Sequence, residues 1–285
     1  MTHYIENSFL KIGVKEFGCE LTSVYSKENN FEYLWQGDAE YWEGQSPILF
    51  PIVGRLIDDC YFLDGKKYTL PKHGFARKMH WNFIGSDSSS MKFSLNHTAE
   101  TLKMYPYEFR LTVTFTLNNN TLEVTHEIEN LNSTVMYASL GAHPAFNCSI
   151  GDRLVFNKKE TLSTEKIDLK ESLRLPDSIP VLNDESDIII TEDIFNEDAL
   201  ILKDFVSETL TLESDNHSRK VVFHLGAAPN LGIWSKPGAP YICIEPWCGV
   251  NDSHVKKADF SQKDGINAIG KGESWNFTWT AEFSE

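Results

Sequence analysis

No two of the five cysteines (Cys19, Cys60, Cys148, Cys243 and Cys248) stand in a Cys-x-x-Cys pair, and their number is odd. That spacing supplies no disulfide framework, no zinc ribbon and no thioredoxin-type redox pair. Cys148 and Cys248 lie close to candidate site segments, but neither carries a nucleophile signature, and small buried thiols are the plain reading. Positive charge is also scarce: 26 Lys and Arg face 41 Asp and Glu, for a formal net charge of −15. Nucleic acid and anionic membrane surfaces both call for a cationic footprint, so this balance argues against either partner and for a solvated acidic surface. No apolar run approaches membrane-spanning length, and charges fall where a signal peptide needs an apolar core, so the chain reads as cytoplasmic. Metal-ligand pairs of histidine at helical spacing, glycine-rich phosphate loops after a strand and internal repeats are missing too.

Helical periodicity is thin. His97 to Tyr105 could make two turns before Pro106, and Phe205 to Ser207 one. Without strands alternating with long amphipathic helices, a parallel α/β sheet is ruled out. Period-two alternation is what the chain has instead. Leu111, Val113, Phe115 and Leu117 share one face and three threonines the other; after the turn Asn118-Asn119-Asn120, Leu122, Val124 and Ile128 continue the pattern. His126 falls in register with them and reads as core. Trp275 to Ala281, Thr209 to Glu213 and Lys220 to Leu225 alternate likewise, and Trp81 to Ile84 and Met91 to Leu95 flank the turn Gly85 to Ser90. Many short strands in 285 residues predict an all-β sandwich or barrel with many strands. The polar stretch Lys158 to Glu192 reads as a solvent-facing excursion. Because alternation resumes beyond it, residues 1–285 are expected to form one domain.

Four segments place an ionisable residue beside Pro or Gly at the end of an apolar run, where backbone restriction holds a side chain in place. In Ser46-Pro-Ile-Leu-Phe-Pro-Ile-Val-Gly-Arg55, Arg55 either forks onto substrate oxygens or pairs with Asp58 or Asp59. In Pro71-Lys-His-Gly-Phe-Ala-Arg77, His73 and Arg77 either face one pocket or belong to an ordinary turn. Gly141-Ala-His-Pro-Ala-Phe-Asn147 offers His143, a satisfied core histidine or a proton donor. In Tyr241-Ile-Cys-Ile-Glu-Pro-Trp-Cys-Gly249, alternation puts Tyr241, Cys243 and Glu245 on one face, opposite Ile242 and Ile244. An acid at the end of such a strand has its pKa raised by desolvation, which suits a general base near neutral pH.

Taken together and in this order, Phe50-Pro-Ile-Val-Gly-Arg55, Pro71-Lys-His-Gly-Phe-Ala-Arg77, Gly141-Ala-His-Pro-Ala-Phe-Asn147 and Glu245-Pro-Trp-Cys-Gly249 resemble the aldose 1-epimerase (mutarotase) family, closest to its LacX-type branch. The resemblance implies a large antiparallel β-sandwich of the galactose mutarotase-like type, with an open sugar cleft. It implies interconversion of α and β anomers without metal or cofactor, Glu245 taking the proton of the anomeric hydroxyl and His143 protonating the ring oxygen. Arg55 and His73 would hold sugar oxygens, and Trp234 or Trp247 would stack on the pyranose. The family's further sugar-binding Asp has no matching context here; Asp198, ahead of a strand, stands in as its substitute. The His-Gly-Phe-Ala-Arg variant is similar to that of hexose-6-phosphate mutarotases, where an Arg such as Arg77 meets phosphate. The expected partner is thus a small-molecule sugar or sugar phosphate, with a neutral hexose as first choice. A non-catalytic carbohydrate-binding sandwich is the rival from another class; a glycoside-processing enzyme would need a second carboxylate beside Glu245.

Overall fold

Alternation decides the architecture. Leu111, Val113, Phe115 and Leu117 are buried along the strand Phe109–Asn118. They pair with Ile128, His126, Val124 and Leu122 of Thr121–Asn130 in an antiparallel ladder. Side chains two apart share a face, so one face of this hairpin is core by construction. In the computed structural model, which describes residues 1–285, a nine-stranded antiparallel sheet extends from it in both directions. Ser90–Asn96 and Asn82–Ser86 lie on one side; Ser274–Ser284, Lys220–His224, Thr209–Glu213 and the long pair Arg153–Ile167 and Arg174–Ile189 lie on the other. His126, 1% exposed, is a core histidine.

The second sheet is ordered Leu200–Lys203, Asn230–Trp234, Tyr241–Cys248, Leu140–Ala142, Ile48–Leu49, with Ala145–Asn147 paired to the other end of Tyr241–Cys248. One contiguous core joins the layers, Phe93, Phe115 and Phe223 coming from the larger sheet and Phe146, Ile233, Ile242 and Ile244 from the smaller. Each such side chain contributes about 1.5–3 kcal/mol on burial, so the sandwich is held mainly by this layer. The stretch from Met136 to Ala142 makes two strands. Met136–Ala138 pairs with Asn267–Ile269, and Leu140–Ala142 joins the smaller sheet. The break falls at fully buried Ser139, whose N–H donates to the Pro51 carbonyl at 2.8 Å.

Three regions depart from or refine the reading of the sequence. Ala99–Met104 is helical as expected, capped by reciprocal Thr98 and Thr101 bonds of 3.2 and 2.8 Å. Phe205 to Ser207 is not helical. The N–H groups of Val206 and Ser207 turn instead to the buried carboxyl group of Glu160, at 3.0 and 2.7 Å, and an acceptor shared by both outcompetes a single helical turn. Lys158 to Glu192 is mostly ladder rather than an irregular excursion. Its polar composition reflects the position of Arg174–Ile189 as the exposed edge of the nine-stranded sheet. The tip of that hairpin leans against a loop from the smaller sheet: Ser172 O accepts from Asn251 Nδ2 at 2.8 Å, and Arg174 Nε donates to Asn251 O at 2.7 Å. No helix is long and apolar enough to cross a membrane.

Candidate active site

The Tyr241–Cys248 strand is buried at all eight positions. Ile242 and Ile244 point into the sandwich core, while Tyr241 and Cys243 pack in a separate cluster with Trp35 on the opposite face. Glu245 follows on that second face and is 1% exposed. Its cross-strand partner is Gly232, and the missing side chain there has a purpose. A Cβ on Gly232 would stand 2.7 Å from the Trp247 ring, and one on Gly141 2.8 Å from it. Those two glycines therefore let the indole lie flat against the sheet, where its Nε1–H donates to Glu245 Oε2 at 3.1 Å.

On the other edge, Leu140–Ala142 and Ala145–Asn147 pair with opposite ends of the same strand, leaving His143-Pro144 unpaired between them. Proline has no N–H to give to a ladder, and Pro144 O instead accepts from Ile244 N at 3.1 Å. The interruption carries His143 alongside the strand, with Nε2 3.2 Å from Glu245 Oε2 and 12% of the side chain exposed. The third segment turns sharply at His73 and Gly74, both in the left-handed region at φ 65° and 68°. At Gly74 a Cβ would stand 2.1 Å from the Phe50 carbonyl oxygen, so only glycine fits. His73 Nδ1 accepts the Gly54 N–H at 3.1 Å, which places the proton of the neutral ring on Nε2. The rings of His73 and His143 stand edge to face, 6.2 Å apart.

These groups line one cavity of about 460 Å³, together with Arg77, Asp198, Trp234 and Trp247. Seven of the eight side chains singled out from the sequence thus converge: His143, Glu245, His73, Arg77, Asp198, Trp234 and Trp247. Arg55 does not. Its Nε and Nη2 fork onto the two Asp59 oxygens at 2.8 and 2.9 Å, and Nη1 donates to Glu171 O at 3.1 Å. The ion pair with Asp59 takes up its donors, away from the cavity that the other seven line. Arg77 has no carboxylate within 4.0 Å: Asp59 is taken by Arg55 and Asp58 by Lys256. Its Nη2 donates to Lys72 O at 2.9 Å, and its buried Nε has no partner. Asp198 sits at φ 77° with Oδ1 accepting from Ala199 N at 2.8 Å.

Reading the sequence missed Trp42, Lys72 and Asn251, which also line the cavity. Lys72 lies inside the His73 segment, and its Nζ meets only Ser172 Oγ at 3.4 Å. Asn251 follows the Glu245 segment by a few residues. Trp42 comes from a loop with no periodicity to flag it, and its ring lies 5.0 Å from that of His143 and 5.8 Å from that of Trp234.

Burial governs the electrostatics. It pushes Glu245 well above the usual carboxylate range, against the Trp247 N–H and the Lys72 charge. It pushes His143 down to about 3, with Arg77 and Lys72 adding to the effect. His73 is driven well below its ordinary value by burial first, then by His143, Lys72 and Arg77. His143 and Glu245 are in contact, so their protonation is coupled. Desolvation favours the neutral acid with the neutral imidazole, and their mutual attraction favours the ion pair. A buried pair that holds one mobile proton can give it to one oxygen and take it from another.

Comparison with known proteins agrees with this arrangement. The family described as Aldose 1-epimerase matches residues 1–281. The chromosomal LacX protein of Lactococcus lactis is 35% identical over 268 residues, 89% of each chain. A solved galactose mutarotase-like protein from Lactobacillus casei is 31% identical, with a TM-score of 0.94 over 100% of both chains. A putative glucose-6-phosphate 1-epimerase of Escherichia coli is 25% identical over 201 residues, 65% of this chain and 63% of its own. With the sandwich, the segment order and these likenesses in agreement, the chain belongs to the aldose 1-epimerase family.

Proposed function

We propose that this protein catalyses the interconversion of the α and β anomers of an aldohexose, with Glu245 and His143 as the proton-transfer pair. The observation that carries the reading is their 3.2 Å contact at the wall of a 460 Å³ cavity. A hemiacetal carbon bears two oxygens, the ring oxygen and the anomeric hydroxyl, so a bound pyranose can present one to each group. Glu245, as carboxylate, removes the hydroxyl proton while His143, as imidazolium, protonates the ring oxygen. The C1–O5 bond breaks and leaves the open-chain aldehyde. Rotation about C1–C2 turns the other carbonyl face to the hydroxyl at C5, and the two transfers run backwards. The hemiacetal and the open-chain aldehyde stand at one oxidation level, so the reaction consumes no oxidant and needs no cofactor. His73 Nε2–H is positioned as a donor to a sugar oxygen, Asp198 as an acceptor of sugar hydroxyls, and Trp42, Trp234 and Trp247 as apolar walls. Polarimetry on freshly dissolved α-glucose or α-galactose tests the proposal. Acceleration of the optical change supports it; sugar binding with no acceleration would leave a carbohydrate-binding sandwich instead.

A phosphorylated hexose is the second reading, favoured by Lys72 and Arg77, two cations in the cavity wall without carboxylate partners. The guanidinium fork suits phosphate oxygens, and a relative's name mentions glucose 6-phosphate. Against it, the overall charge of −15 repels an approaching anion, over a range that salt limits to a Debye length of about 8 Å. Comparing kcat/KM for glucose, galactose and their 6-phosphates in the wild type and Arg77→Ala decides between them. A neutral substrate predicts no preference for the phosphates. A tenfold preference that Arg77→Ala erases would install the phosphorylated sugar.

A further inference from the structure

Cys243 plays no part in the proposed proton transfers, yet it lies fully buried on the same strand face as Glu245, two residues before it. Its sulfur, one ring nitrogen of His143 and one carboxylate oxygen of Glu245 all lie within 4.8 Å of one another. Thiolate, imidazole and carboxylate are the donors that zinc gathers at tetrahedral sites, with bonds of about 2.0–2.3 Å. Bonds of that length hold donors roughly 3.3–3.8 Å apart, and the His143–Glu245 separation of 3.2 Å is already close to this. The sulfur lies no more than 4.8 Å from either donor, so bringing it into such a set asks for at most roughly 1–1.5 Å of movement, within the reach of a χ1 adjustment. The backbone carrying the three donors is stiff: two come from one central strand and the third is followed by Pro144. A fourth position is left toward the cavity that His143 and Glu245 line.

We propose that His143, Cys243 and Glu245 form a binding site for a thiophilic divalent cation, with Zn²⁺ as the best match, and that the ion switches the dyad off. The second half rests on the acid–base reading given above; the binding does not. On ligation the Cys243 thiol and the His143–Glu245 pair each release one proton, two in all. The thiolate and carboxylate balance the metal charge, and no electron is transferred. The ion then occupies the imidazole lone pair and a carboxylate oxygen, so neither can exchange a proton with a sugar. Hard cations such as Mg²⁺ and Ca²⁺ prefer six or more oxygens and gain nothing from sulfur. Lys72 and Arg77, which line the same cavity, further disfavour a hydrated cation that forms no bond to the thiolate.

Titrating the metal-free protein with Co²⁺, as a spectroscopic stand-in for Zn²⁺, tests the binding. The expected result is one ion per chain with a near-ultraviolet sulfur-to-cobalt charge-transfer band. Cys243→Ser should abolish that band and weaken binding at least about tenfold, whereas Cys148→Ser should keep both. Glu245→Gln, which retains the sulfur and the imidazole, should keep the band at reduced affinity; it also serves if the Cys243 variant does not fold. A wild-type spectrum without the sulfur band, or unchanged affinity in Cys243→Ser, overturns the site. In parallel, stoichiometric Zn²⁺ should slow anomer exchange by about 10²-fold or more, the scale of a lost acid–base group. EDTA should restore the rate, and Cys243→Ser should keep its basal rate and resist zinc. A bound ion with undiminished exchange refutes the switch. A cobalt band in a protein with no exchange at all supports the site and overturns the catalytic reading.

Discussion

Replacing Glu245 by Gln removes a proton acceptor while nearly preserving its shape. The carboxylate is 1% exposed, held by the Trp247 N–H at 3.1 Å and by His143 at 3.2 Å. Both contacts fall on Oε2, so in the variant the amide oxygen can accept from Trp247 Nε1–H and from a His143 that carries its proton on Nε2. Glutamine thus keeps the two contacts but offers no group that can take a proton from the sugar. Stability should hardly change: no buried donor loses its acceptor, and the cost of burying an ionisable carboxyl disappears. Exchange should fall by about 10²–10⁴-fold, the usual contribution of a positioned acid–base group. At about 1.36 kcal/mol per tenfold, that is roughly 2.7–5.4 kcal/mol of barrier. Polarimetry on α-glucose or α-galactose gives the rate, and a melting curve checks the fold. A well-folded Gln variant at the wild-type rate would remove Glu245 from the mechanism.

The rate should follow a bell in pH with a broad top. Burial sets His143 at about 3 and Glu245 well above 4.5, so the one-proton dyad spans the interval between them. Below it a second proton fills Glu245's acceptor; above it the only proton leaves and His143 has none to give. Because burial lowers His143 and raises Glu245, the acid limb follows His143 and the alkaline limb Glu245. A flat kcat/KM profile with chemistry rate-limiting would refute the pairing. Trp42→Leu should admit water to His143 and move the acid limb up toward the ordinary 6.5; an unmoved limb denies Trp42 a covering role. Arg55→Ala should leave sugar affinity unchanged, since its guanidinium is occupied by Asp59 outside the cavity. A raised KM measured for that variant would return Arg55 to the site.

Much of the candidate site was legible because its residues carry local backbone signatures. Pro beside His143 and Gly after His73 are requirements of geometry at those positions, a break in a ladder and a left-handed turn, and such constraints are written in the chain itself. Arg55 shows the limit. Its context matches that of a site arginine, but whether its fork meets a ligand or Asp59 depends on the loop four residues on. Lys72 and Asn251 were overlooked because a lysine or an asparagine on a loop is ordinary until the opposite wall is known. Trp42 had no periodic neighbours to mark it out.

What the sequence determined by itself was whatever depends on near neighbours. Period-two alternation made strands of Leu111 to Leu117 and Trp275 to Ala281, and it set which face of Tyr241–Cys248 carries Glu245. Steric rules and the hydrophobic effect act over a few residues, so one chain suffices to read them. The tertiary structure decided what depends on residues a hundred positions apart. It placed His143 at 3.2 Å from Glu245 and left Arg77 without a carboxylate. It also turned the polar stretch after Lys158 into the edge of the nine-stranded sheet and brought its hairpin tip against Asn251. Burial comes from all the walls of a cavity at once, and it is burial that raises the pKa of Glu245 and lowers that of His143. A sequence names the groups that can hold a proton; only the assembled sandwich sets how strongly each one does.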